Sequence, residues 1–178
     1  MKKLLGFSIF LVFVLIASLT AEAKVTLPAI FSDNMVLQQN TQVNVWGKAA
    51  PGEKVTVKAS WLDKAVTAKA AANGKWTVKL KTPKAITNQS VTVSGENEIT
   101  INNVLIGEVW LCTGQSNMEF PVSRHPDVKW NTGMLNEAEE LKDADYPEIR
   151  LFHVKHQLAH EGELDDCEGE WLVCNPKN

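Results

Sequence analysis

The chain has 178 residues, with 18 basic and 21 acidic side chains, a net charge of −3 and 44% hydrophobic content. This is the composition of a folded globular chain rather than a disordered one, and the length supports one sizeable core or two small ones. There is no basic block to grip phosphates, so nucleic acid is excluded as a partner class.

At the amino terminus, Met1, Lys2 and Lys3 precede an apolar run from Leu4 to Ala17 broken by Gly6 and Ser8, and Ala21-Glu-Ala23 forms a small-x-small cleavage site. Residues 1–23 therefore read as a signal peptide, because the apolar run is shorter than the ~20 residues that a bilayer core requires. Cleavage would start the mature chain at Lys24, leaving 155 residues with 16 basic and 20 acidic side chains, a net charge of −4. No cysteine lies near the cleavage point to carry a lipid anchor. The expectation is export, to a periplasmic or extracellular location, without stable membrane insertion.

From Val25 to about Ile106 short alternating segments are separated by turn signals. Gln42-Val-Asn-Val-Trp46 alternates, Ala50-Pro-Gly52 turns, and Lys54-Val-Thr-Val-Lys58 alternates again. Asn73-Gly74 predicts a hairpin joining Val66–Lys69 to Trp76–Leu80, and Ser90–Val93 and Ile99–Ile101 continue the series. Short strands rich in Val, Thr and Trp, with no helical stretch, predict an all-β sandwich of the immunoglobulin or jelly-roll kind over residues 24–104. Trp46, Trp61 and Trp76 read as core packing within it rather than as a sugar-stacking platform.

Beyond Leu105 the pattern changes. Glu108–Thr113 reads as a buried strand, Met134, Leu135, Ala138 and Leu141 recur at helical spacing, and Ile149–Val154 reads as a second strand. Strand, helix and strand predict a βαβ unit with a parallel sheet, so residues 105–178 are expected to open an incomplete α/β domain, with the boundary near Asn103. Trp171–Cys174 offers one more short strand. Unpaired sheet edges and an uncovered helix face would leave this part marginal by itself.

Three cysteines in an exported chain permit one disulfide, and Cys167 and Cys174 flank a turn as the natural pair, with Cys112 a small buried hydrophobe in the strand before Ser116. His153, His156 and His160 would share a helical face beside Glu161, a zinc-like spacing, but His153 ends an apolar strand, so no metal site is assigned. The acidic stretch from Glu161 to Glu170 reads as a solvated loop.

In Gly107-Glu-Val-Trp-Leu-Cys-Thr-Gly-Gln-Ser-Asn-Met118 a serine follows an apolar strand that breaks at a glycine. Gly114 leaves room for a sharp turn, and Ser116 would then sit near a helix start, where free N–H groups can face an oxyanion. Spacing alone favours reading Ser116 and Asn117 as ordinary turn residues chosen for local hydrogen bonding.

Gly114-Gln-Ser-Asn-Met118, preceded by Gly107-Glu-Val-Trp-Leu111, closely resembles the first sequence block of the sialate O-acetylesterase group within the SGNH (GDSL-like) hydrolases. Leu27–Gln38 resembles that family's amino-terminal signature, and Tyr146–Phe152 resembles the strand after its first helix, with the blocks in the family's order. The resemblance implies an exported bacterial carbohydrate esterase that removes O-acetyl groups from sialic acid or plant polysaccharide without a metal or other cofactor, built on a three-layer α/β SGNH domain. It implies that Ser116 is the nucleophile and a backbone oxyanion donor, supported by a turn of Gly114, Gln115 and Asn117. The family's base is a histidine in a late Asp-x-x-His block. None of His125, His153, His156 and His160 has an aspartate three residues before it, so the base is not assigned, and this chain alone is expected to be inactive. The rival from another class is a non-catalytic sandwich module that binds glycan or a protein partner. The particular acetylated sugar and the oligomeric state stay open.

Overall fold

The computed structural model describes residues 24–124, 133–160 and 162–177, so the expected signal peptide and His125 lie outside the described residues. Strict alternation of buried and exposed side chains builds the first seven strands. They are β1 (Val36–Gln38), β2 (Gln42–Lys48), β3 (Lys54–Ala59), β4 (Val66–Lys69), β5 (Lys75–Lys81), β6 (Ile86–Ser94) and β7 (Glu98–Gly107). One sheet has five strands in the order β1-β7-β6-β3-β4, and β2 pairs antiparallel with β5 in a second sheet. β1 runs parallel to β7, with Gln38 opposite Gly107, and the other contacts of the larger sheet are antiparallel.

The inward residues of both sheets meet in a single apolar cluster. Val55, Val57, Val91, Val93, Ile101 and Val104 come from the larger sheet, and Val45, Trp76, Val78 and Leu80 from the smaller, with Val25, Phe31 and Met35 closing the margin. This is the expected β-sandwich. At about 25 cal/mol per Å² of apolar surface removed from water, such a cluster dominates the favourable side of folding. Of the three tryptophans, Trp76 is buried and Trp61 packs against the cluster, donating its indole N–H to the Lys81 carbonyl at 2.9 Å. Trp46 lies on the outer face of β2, its ring in a T-shaped contact with Phe31, centroids 4.6 Å apart at 80°.

The chain does reverse at Asn73-Gly74, where Gly74 takes φ +76° and donates to the Ala71 carbonyl. The turn joins two sheets, however, and is not the loop of a paired hairpin: β4 stays on β3 while β5 pairs with β2. The alternation of Trp76, Val78 and Leu80 explains this, because those side chains must face the cluster from the opposite layer.

After Gly107 the expected βαβ unit does not form among the described residues. Glu108–Thr113 is irregular rather than a strand, because no neighbouring strand pairs with it, and Cys112 is exposed rather than buried. The strand that carries the chain to this point is β7, which includes Leu105 and Ile106 as buried residues. The helix α1 spans Glu137–Asp143, starts beyond Met134 and Leu135, and buries none of its residues. Its Glu137, Glu139 and Glu140 sit in the first turn and Lys142 in the last, which suits the helix dipole. β8 (Tyr146–Val154) is present, but it pairs antiparallel with β9 (Gly169–Cys174), not parallel with an earlier strand. The described part of the chain therefore carries no parallel α/β sheet.

Candidate active site

The segment leading to Ser116 leaves the sandwich through a polar joint. Thr82, 2% exposed, donates its hydroxyl to the Gln38 carbonyl at 2.7 Å and so fixes the end of β1. From there Gln38 Nε2 donates to Glu108 Oε2 at 3.0 Å and Gln39 Nε2 to Glu108 Oε1 at 2.6 Å. The Val109 N–H returns a bond to Gln38 Oε1 at 2.8 Å, and Ala85 N–H donates to Gln39 Oε1 at 2.8 Å. Both carboxylate oxygens thus accept amide hydrogens, and the bonds from Gln38 and then Gln39 hold the Glu108 pKa below its ordinary range. Two sequence blocks separated by some seventy residues meet here. The signal for this joint was present in Gln38 and Glu108 themselves, at the end of one block and the start of the other, but nothing in the spacing said that they touch.

Beyond the joint, Trp110 and Leu111 are 84% and 90% exposed. Ser116 is the first residue of a 3₁₀ turn, Ser116–Glu119, preceded by Gln115 with no side-chain cap. The Met118 N–H closes the turn onto the Gln115 carbonyl at 2.9 Å. A Cβ at Gly114 would stand 3.0 Å from Met118 Cγ, so the glycine makes room for that side chain; its backbone is not left-handed. Ser116 and Asn117 are exposed, and the first N–H groups of such a turn have no partner within it.

No histidine among the described residues hydrogen-bonds the Ser116 hydroxyl. His153 lies on β8 opposite Glu170, and His156 and His160 are exposed in the connection after it. Cys167 and Cys174 are both free thiols, contrary to the expected bridge. The extended strand from Gly169 to Cys174 separates them, at about 3.3 Å per residue a span of roughly 16 Å, well past the ~7 Å Cα limit of a disulfide.

The acidic stretch is also more than a solvated loop. Asp165 bridges Lys48 and Lys75 at 3.1 and 2.9 Å, and these two hydrogen-bonded lysines, Lys75 first, lower its pKa. The Asp166 carboxylate accepts the Ala29 N–H at 3.2 Å, and the Trp171 indole N–H donates to the Ile30 carbonyl at 2.8 Å. Residues 29–30 belong to the amino-terminal block, so the acidic stretch and β9, the strand that pairs with the third block, are tied to the first.

No family model matches the chain. A sialate O-acetylesterase of Mus musculus is 31% identical over 150 residues, 78% of this chain. The chain belongs to the sialate O-acetylesterase family. The Homo sapiens sialate O-acetylesterase is 28% identical over 146 residues, 76% of the chain. Among solved structures, a carbohydrate acetylesterase from Xanthomonas citri superposes with a TM-score of 0.75 at 30% identity, over 87% of this chain and 34% of that one. The chain spans about a quarter of the length of the curated sialate O-acetylesterases it matches, 26% in each case.

Proposed function

We propose that this chain contributes the sandwich and the nucleophile segment of an exported carbohydrate acetylesterase, with Ser116 attacking the acetyl carbonyl and its own N–H helping to hold the oxyanion. Gly114, Gln115 and Asn117 shape the turn. The observation that carries the reading is the Gln38–Glu108–Gln39 joint, which ties the block ahead of the serine to the amino-terminal block, in a chain whose relatives are sialate O-acetylesterases. The substrate class is an acetylated carbohydrate, and the reaction requires no cofactor. Residues from 108 onward form part of the hydrolase domain, whose remaining portion covers Trp110, Leu111 and the outer residues of β8. Secretion rests on the leader over residues 1–23.

None of the chain's histidines follows an aspartate at the family's spacing, and an unassisted serine hydroxyl is a weak nucleophile at neutral pH, so the chain by itself is expected not to hydrolyse acetyl esters. A fluorogenic acetyl-ester assay tests this directly. Turnover by this chain that Ser116→Ala abolishes would refute the claim of inactivity. In a longer product carrying an Asp-x-x-His block, Ser116→Ala is expected to lower kcat by about 10³-fold or more, since triad residues act as a unit. Unchanged kcat there would remove Ser116 from the nucleophile role.

A further inference from the structure

Charge is unevenly divided along the chain. Residues 24–107 carry ten lysines against five carboxylates, a net +5, while residues 108–178 carry six basic and fifteen acidic side chains, a net −9. On the outer face of β2–β5, Lys75, Lys79 and Lys81 alternate with buried residues. Lys48 stands directly opposite Lys75 in the register, a like-charge cross-strand pair that is unfavourable without an anion between them. The Asp165 carboxylate occupies that place.

The β8–β9 hairpin, whose connecting segment carries Asp165, has little to hold it in shape by itself. Two strands alone are marginal in water, the β8–β9 ladder shifts register between Tyr146 and Arg150, and Tyr146, Ile149, Leu151 and Val154 are exposed. Its contact with the sandwich runs through Trp171, which packs against the core cluster and bonds the Ile30 carbonyl, with Phe152 5.2 Å from its ring. An open depression lined by Ala29, Lys155, Asp166 and Cys167 marks the seam.

We propose that the lysine face of β2–β5 is the docking surface for the chain's own acidic segment, and that this docking, rather than the hairpin's internal packing, orders β8 and β9. The sandwich thereby acts as a platform that holds the third sequence block in place, through an attraction that salt can weaken. This holds whether or not Ser116 is a nucleophile.

Amide hydrogen exchange on the full chain tests it. The reporters are Leu151, Phe152, Leu172 and Val173 in the hairpin, with Val57 and Val91 in the sandwich. Exposed ion pairs are individually weak, so the double variant Lys48→Gln/Lys75→Gln is expected to accelerate hairpin exchange by about threefold to tenfold and leave the sandwich amides unchanged. Asp165→Asn, made from the other side of the contact, is expected to do the same. Salt at about 1 M should accelerate the hairpin in the unsubstituted chain and add little in either variant. The proposal is overturned if neither variant alters hairpin exchange, if only the lysine variant does, if hairpin and sandwich amides accelerate together, or if salt has no effect.

Discussion

Glu108 accepts hydrogens from two glutamine amides while remaining open to solvent, so its value to the molecule lies in position rather than burial. Because those bonds favour the ionised carboxyl, its folded pKa is depressed. The associated stabilisation is therefore fully present above the ordinary carboxylate range and is lost as pH falls through the lowered value. The amide of Val109, which donates to Gln38 within the same joint, should lose its protection and approach its intrinsic exchange rate as pH falls through that lowered value. In Glu108→Gln one carboxylate oxygen becomes an amide donor facing another donor, so Val109 is expected to be less protected at neutral pH and to lose the acid-dependent step. An unaltered pH profile in that variant would mean that the carboxylate does not hold the joint. Arg150 shows the opposite condition: its Nε and Nη1 are shut from solvent without a partner, and desolvation lowers its pKa while Glu148 opposes the shift. The Tyr146–Phe152 block announced a strand at this position, but the environment of its arginine depends on what packs beside it.

At the scale of elements, the strands of the sandwich were legible because each one buries alternate residues against a single core. Gln42–Trp46, Lys54–Lys58, Val66–Lys69 and Trp76–Leu80 all fall within strands. Pairing was not legible in the same way. Asn73-Gly74 specifies a reversal, whereas the choice between β4 and β2 as the partner of β5 depends on which layer receives Trp76, Val78 and Leu80. The βαβ reading failed for a related reason: an apolar run such as Val109-Trp-Leu-Cys112 becomes a strand only when a neighbour offers it hydrogen bonds, and none does among the described residues. Close packing beside the β2–β5 ladder also makes Gly47 of β2 a sharp test of the sandwich, since Trp76 stands directly opposite it and Thr26 pairs with the next residue, Lys48. A Cβ there would run into the Thr26 carbonyl and stand 2.9 Å from the Trp76 ring. Overpacking of a tight core costs about 1–3 kcal/mol, so Gly47→Ala should lower Tm by roughly 10 °C. Gly107→Ala serves as the control, since its nearest neighbour is Val36 Cγ1 at 4.0 Å, and its Tm should be unchanged or slightly raised. Equal losses in the two variants, read by thermal unfolding, would show that the cost arises from backbone propensity and not from the contact with Thr26 and Trp76.

Across the whole molecule, apolar burial and apolar exposure fall on opposite sides of Gly107. The core cluster is drawn from residues 25–104, whereas among the described residues every exposed large apolar side chain except Ile30 and Trp46 lies beyond Gly107. Composition could not reveal the division, since the hydrophobic content is ordinary when averaged over the chain; it emerges only when the burial of each half is known. The physical consequence is a molecule with tiers of stability, in which segments that bury little open at low free energy while the core opens only with global unfolding. Amides of Val57, Val91 and Ile101 should exchange slowly and together. The β8–β9 amides should fall between the extremes, held through Trp171 and Asp165. Amides of residues 110–124 and 133–143 should exchange within about tenfold of an unstructured peptide, because α1 buries no residue and Trp110 and Leu111 lie in solvent. Slow, cooperative exchange across residues 110–124 and 133–143 would refute this tiering, for it would require a core beyond Gly107 that the exposure of those side chains does not provide.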